Sequence, residues 1–251
     1  MRHAAVGVLV AALCAAVLAA CGGSSNTAID VSAAASLRAA FGEYAKSLKG
    51  IEPRYSFAGS DALAAQIEQG VRPDVFASAN TKLPEGLYAK GLVEKPVVFA
   101  ANKLVIAVPK SSTITGIAGL EAKGVTIAIG TATVPVGDYT QKVLARLPLA
   151  ERRALLGNVR DRESDVTGIV GKLSEGAVDA GFLYVTDVKA AGGALRAIDL
   201  PAILQPRVTY GIAVVKGSKH VAQAQAFVNG LLSGAGRSDL LQAGFLAPPG
   251  A

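Results

Sequence analysis

The stretch IDVSAAASLRAAFGEYAKSL, residues 29–48, decides how the chain is read. A short strand-like run, IDVSAAA, passes through Ser36 into a helical segment, LRAAFGEYAKSL. The same order returns twice at once: EPRYSFA (52–58) precedes SDALAAQIEQG (60–70), and DVFASA (74–79) precedes LPEGLYAKG (83–91). Strands alternating with helices predict an α/β fold with mainly parallel sheets. Working outward, KLVIAVP (103–109) reads as a long buried strand, and VTIAIG, DAGFLYV, LRAIDLP and VTYGIAVV (208–215) as further strands. GDYTQKVLARL, SDVTGIVGKLSEG and HVAQAQAFVNGLLS (220–233) read as helices, and a Gly/Pro-rich tail closes the chain.

The strands at 103–109 and 208–215 bracket a self-contained set of strands and helices. Two lobes are therefore expected, with the chain crossing between them twice: 28–101 and 208–251 form lobe I, and 102–207 form lobe II. Ligands of such folds collect in the cleft at the carboxyl ends of the strands.

The N-terminus is a different kind of sequence. MRHAAVGVLVAALCAAVLAAC carries Arg2, an unbroken apolar run from Ala4 to Ala20 and small residues before Cys21, which together read as a secretory signal over residues 1–20. Residues 21–27 read as a flexible tether. The two cysteines are Cys14, inside the apolar run, and Cys21, so the exported domain is expected to have no disulfide and to rely on burial. A 51% hydrophobic content with few aromatics suits Ala, Val, Leu and Ile packing and excludes a disordered chain. The net charge of +6 is spread without a basic block, which argues against nucleic acid and offers an anion a mildly positive field.

Chemistry concentrates where strands turn into helices. Ser36 and Ser60 stand where residues of the N-cap type belong. Val134-Pro135-Val136-Gly137 opens another helix, with proline where a missing N–H is harmless, and Asp165-Val166 opens a fourth. A helix start presents unpaired N–H groups and about half a positive charge, so four starts facing one cleft can hold a dianion without Lys or Arg.

Six segments carry a resemblance through nearly the whole mature chain: AAASL (33–37), SFAGSDALAAQIEQGVRPDVFASA (56–79), KLVIAVPK (103–110), IAIGTATVPVGDY (127–139), AGFLYVTDV (180–188) and VTYGIAVV (208–215). They resemble the periplasmic molybdate-binding proteins of ABC importers, and Leu18-Ala19-Ala20-Cys21 resembles the lipobox of bacterial lipoproteins. The resemblance implies a two-lobed periplasmic-binding-protein fold and an oxyanion held by two serines, two helix-start amides and a tyrosine. Matched motif by motif, these are Ser36, Ser60, Val136 (where the family often has alanine), Val166 and Tyr184. For the second amide, Asp165, Val166 and Thr167 all remain open. The resemblance further implies an ABC permease and its ATPase as partners, a monomer, and attachment to the cell membrane through lipid on Cys21, where two or more acyl chains anchor stably. No cofactor is implied, and the metal arrives as an oxyanion without direct cation ligands.

Hydroxyls and amides only donate to such an ion, which favours molybdate, tungstate or sulfate over a protonated phosphate. Cavity size can reject the smaller sulfate but hardly separates molybdate from tungstate. A sulfate or other oxyanion receptor is the alternative of the same fold; an exported lipoprotein hydrolase or adhesion module is the distant one. Read singly, Ser36 and Ser60 could be plain helix caps and Tyr184 a core tyrosine, with Asp74, Asp138 and Asp187 structural. An enzyme is not expected: His3 falls in the signal, His220 reads as a solvated surface residue, and no nucleophile motif or metal-ligand spacing occurs.

Overall fold

Two five-stranded sheets take up the strands of the computed structural model, which describes residues 26–250. The expected signal segment, Cys14, and Cys21 with its expected lipidation lie outside the described residues. The first three units are β1 (Thr27–Ala34), a 3-10 turn (Ala35–Leu37) and α1 (Arg38–Ser47), then β2 (Ile51–Ala58) and α2 (Ser60–Glu68), then β3 (Val75–Ser78) and α3 (Lys82–Ala89). After β4 (Val97–Asn102) a single residue, Lys103, leads into β5 (Leu104–Pro109). The middle of the chain forms α4 (Ile117–Leu120), β6 (Ile127–Gly130), α5 (Pro135–Ala145), α6 (Leu149–Gly157), β7 (Val159–Glu163), α7 (Val166–Ser174), β8 (Ala180–Tyr184), α8 (Val185–Ala190) and β9 (Leu195–Asp199). The chain returns through β10 (Val208–Val214), α9 (Val221–Ser233) and α10 (Ala235–Ala243).

One sheet has the order β2-β1-β3-β10-β4 and the other β7-β6-β8-β5-β9. Each sheet is mainly parallel, as the alternating pattern leads one to expect: four of its five strands run the same way and a single strand, β10 or β5, runs against them. β1 is parallel to β2 and β3, and β6 to β7 and β8, but β10 and β5 run antiparallel to both their neighbours. The cause is the double crossing. Strands β1 to β3 and β6 to β8 end at the cleft, whereas β5 and β10 each enter their sheet from the other one and so run away from it.

Burial follows position in the sheet. β3, β6 and β8 are buried along their whole length, as strands covered on both faces must be. The edge strand β7 alternates, with Arg160, Asp161, Arg162 and Glu163 discouraging pairing with another chain. One apolar cluster runs from Ile29 to Phe245 and includes residues of both sheets. In it Phe41 meets Phe227 edge to face at 5.5 Å, and α10 packs on α1. α10 replaces the irregular tail expected from the Gly/Pro content; its Leu240 is buried and Gly244 ends it in the left-handed conformation (φ 100°).

Both crossings are pinned by side-chain amides. The Asn102 Oδ1 accepts from the Lys103 N–H at 2.8 Å. On the return, the Gln205 amide, oriented to satisfy both groups, donates to Leu104 O at 3.0 Å and accepts from Leu104 N at 2.9 Å. His220 is not simply solvated: its Nδ1 lies 3.3 Å from Asp74 Oδ2. Burial pushes the Asp74 carboxyl up, but bonds from Ser218, the Asp30 N–H and His220 outweigh it and leave the group below the ordinary value. Among the described residues no helix is long and apolar enough to cross a membrane.

Candidate functional site

Where the carboxyl ends of β1, β2, β6, β7 and β8 converge, a cavity of about 20 Å³ lies between the two sheets. Ser36, Ser60, Val136, Val166 and Tyr184 all line it, so the structure brings together every binding residue expected from the sequence. A water needs roughly 10–15 Å³ on the same measure. A cavity of this size suits one compact group. Its lining contains no Lys, Arg or His, so any positive potential inside it comes from N–H and O–H dipoles.

The two serines do not cap their helices. Ala34 and Gly59 occupy the N-cap positions, and neither helix start has a side-chain cap bond. The hydroxyls are engaged differently: Ser60 Oγ accepts from the Ala79 N–H at 3.1 Å, and Ser36 Oγ lies 2.9 Å from the Tyr210 hydroxyl. Ser60, 1% exposed, has given one lone pair to the backbone and keeps its proton for the cavity. A capping serine would have turned that oxygen toward its own helix.

Two helix starts face them from the other sheet. Val134 is the N-cap of α5 and Pro135 its first residue, which leaves the Val136 N–H as the first available donor. Gly137 is there because of space: a Cβ would overlap the Thr131 carbonyl oxygen, so a larger residue would push α5 away from the end of β6. At α7, Asp165 is the N-cap and its Oδ1 accepts from Thr167 N at 2.7 Å and Gly168 N at 3.3 Å. The Thr167 N–H is thereby occupied, while Asp165 and Val166 both line the cavity.

Tyr184 ends β8 and is 1% exposed. Its hydroxyl is buried without a hydrogen-bond partner. Tyr139 at 6.4 Å and Tyr210 at 5.8 Å, both T-shaped contacts, hold its ring. Burial, reinforced by Tyr210, Tyr139, Asp187 and Asp138, holds its pKa well above the ordinary value, so the phenol keeps its proton and is a neutral donor. Behind it, Asp187 Oδ2 accepts from the Tyr184 N–H at 3.0 Å. Burial pushes the Asp187 carboxyl up to about 7 against the pull of that N–H, with Asp165 adding to the rise.

The two sheets touch beside the cavity. A Cβ on Gly59 would overlap the Ser164 carbonyl oxygen across the gap, so glycine allows the α2 start to approach the turn before α7. Sequence reasoning passed over Gly59, as it did Asn102, Thr186 and Tyr210, which form a buried polar chain ending on Ser36. The signal for Tyr210 and Asn102 was a polar group inside an otherwise apolar strand.

Comparison with known proteins extends the geometry. A family model described as bacterial extracellular solute-binding protein matches residues 29–246. The molybdate-binding protein ModA of Mycobacterium tuberculosis strain H37Rv is 32% identical, over 96% of this chain and 97% of its own length. Among solved structures, the periplasmic molybdate-binding protein of Azotobacter vinelandii superposes with a TM-score of 0.78 at 22% identity, covering 88% of this chain and 99% of that one. The sulfate-binding protein SubI of M. tuberculosis H37Rv also reaches 0.78, at 17% identity, covering 90% and 88%. These two structures show the shared fold and do not separate one anion from another.

Asp187 makes stability depend on pH. Unfolded, the carboxyl loses its proton near pH 4; folded, it keeps it to about 7. Between these values the folded state binds more protons, so stability is full below about 4 and falls as pH rises through about 7, by at most about 4 kcal/mol. The thermal midpoint is expected to drop over this interval in the wild type, and Asp187→Asn to flatten that part of the profile.

Proposed function

We propose that this chain, which belongs to the bacterial extracellular solute-binding protein family, captures molybdate in the cavity between its lobes and presents it to an ABC importer. The observation that carries the reading is the buried Tyr184 hydroxyl, which has no partner and lines a cavity that Ser36, Ser60, Val136 and Val166 also line. Such a group is expected where a ligand completes the hydrogen bonding. All the contributing groups donate: three hydroxyls and two amides. An ion without a proton at neutral pH uses every one as an acceptor, whereas hydrogen phosphate would bring a proton that none of these five donors needs; the one carboxylate in the lining, Asp165, already accepts from Thr167 N and Gly168 N.

Each donor to a charged acceptor contributes about 1.5–3 kcal/mol. Five of them offset the loss of hydration without a countercharge. Tungstate, almost identical in size and charge, is expected to bind as well. The lining holds two serines but no His or Lys beside them, and its one carboxylate, Asp165, accepts from the Thr167 and Gly168 N–H groups, so we read its role as capture without catalysis. The ion is touched from both lobes, and binding thereby favours the closed arrangement. A permease and its ATPase would read that closure. The protein would act as a monomer outside the cytoplasm, held to the membrane by lipid on Cys21.

A sulfate receptor is the alternative of the same fold. Titration calorimetry of the domain after Cys21 with molybdate, tungstate, sulfate and phosphate separates the two. Tight binding of molybdate and tungstate alone is expected; tight sulfate binding would replace the reading, and no binding would remove it.

Tyr184→Phe is expected to have effects of opposite sign. Molybdate affinity falls about 10- to 100-fold, while the ligand-free protein unfolds at an equal or higher temperature because a buried orphan hydroxyl is gone. A lowered melting temperature with unchanged affinity would contradict the assigned donor.

Gly59→Ala tests closure apart from chemistry. With φ −58° the residue has an ordinary backbone, so alanine meets, besides the end of the Asp61 side chain, which can turn away, only the Ser164 carbonyl oxygen when the lobes are together. Melting of the ligand-free protein is expected to change little, and affinity to fall by about 5- to 100-fold. Undiminished affinity would show that binding does not need this approach.

A further inference from the structure

The Tyr210 hydroxyl lies 2.9 Å from Ser36 Oγ, and the distance alone does not say which oxygen donates. The surroundings decide it. Asn102 Oδ1 accepts from the Lys103 N–H at 2.8 Å, which fixes the amide so that Nδ2 points the other way. Nδ2 donates to Thr186 Oγ1 at 2.9 Å and reaches the Tyr210 hydroxyl at 3.5 Å. A phenol carries one proton. Since the amide approaches Tyr210 as a donor, that proton is directed to Ser36 Oγ, and Ser36 accepts. The proton of Ser36 is then left for the cavity its side chain lines.

We infer that Tyr210 is a positioning residue for the anion site: held by Asn102, it donates to Ser36 and so turns the Ser36 hydroxyl into an oriented donor. The inference rests on the reading of the cavity as an anion site. Several features make the arrangement more than core packing. Asn102, Thr186, Tyr210 and Ser36 are all buried, and together they join the end of β4, the start of α8, the middle of β10 and the turn after β1. Asn102 closes β4 of one sheet and Thr186 follows β8 of the other, so their bond joins the two sheets beside Lys103, with Asn102 on the β4 side of the crossing and not in the lobe expected for 102–207. The orientation of Ser36 is thus tied to the lobes being together. Tyr210 also supports the ring of Tyr184 at 5.8 Å, so one residue of β10 steadies two of the hydroxyl donors. Burial keeps the Tyr210 phenol protonated, as the role requires, with Asp187 adding to the rise and the hydrogen bonding with Ser36 and Asn102 opposing it.

A rotor fixed in its donating direction spares the entropy of ordering it when the ion arrives. The test is a double-mutant cycle read by calorimetry with molybdate. Tyr210→Phe keeps the ring and its contacts and removes only the hydroxyl; it is expected to weaken binding about threefold to tenfold. In a Ser36→Ala background the same change is expected to have no further effect, because no hydroxyl remains to orient. Thr186→Val, which leaves both Tyr210 and Ser36 in place but releases Asn102, is expected to show the same dependence on Ser36, and it serves if Tyr210→Phe does not fold. Equal losses in the two backgrounds, or wild-type affinity in the single variants, would overturn the inference. A wild-type protein that binds no anion would remove the site reading itself, which is a separate outcome.

Discussion

Leaving a buried phenol without a partner costs a folded protein about 1–3 kcal/mol, and the structure accepts that cost at Tyr184. The group cannot relax out of it. Its ring is held by Tyr139 and Tyr210, its backbone N–H is fixed by Asp187, and its strand is buried from end to end. Two more hydroxyls and two helix starts face the same small space, and none of the hydroxyls is spent on capping a helix. The rest of the fold serves to hold these donors apart from one another and away from water.

The double crossing is what makes this possible. Had the chain formed a single sheet, the helix starts would all have lain along one edge. Instead β5 and β10 each begin at the cleft, and the carboxyl ends of β1 and β2 look across at those of β6, β7 and β8. Lys103 alone separates β4 from β5, so movement between the lobes is confined to a short link and the return segment. Gly59 and Ser164 meet on one side of the cavity, and the Asn102 to Thr186 bond stands on another. On the proposed reading, closure and site assembly are one event.

Much of this was legible in the sequence, for reasons that can be named. Residues 29–48 show a strand, a turn and a helix because the local pattern reports local structure. The five lining residues followed from motif matching and share one cavity. The mainly parallel direction was legible, but the reversal of β5 and β10 was not: KLVIAVP and VTYGIAVV are apolar because they are buried on both faces, and burial is the same for parallel and antiparallel neighbours. The start of each helix could be placed, but whether Ser36 or Ala34 is the cap depends on a single residue of register. Helix α10 was hidden by its glycines and the following prolines, since its stability comes from packing on α1 and not from its own composition. The link from Asn102 to Ser36 joins residues far apart in the chain, and no local pattern reports such a contact.

The central claim is that one ion occupies one place, between the lobes, on neutral donors alone. A crystal of the domain grown with molybdate, with diffraction recorded above and below the molybdenum absorption edge, tests it most directly. The account predicts a single anomalous peak in the cavity, with oxygens in hydrogen-bond reach of the Ser36, Ser60 and Tyr184 hydroxyls and the Val136 and Val166 amides. A peak on the surface beside Lys or Arg, or none, would contradict it.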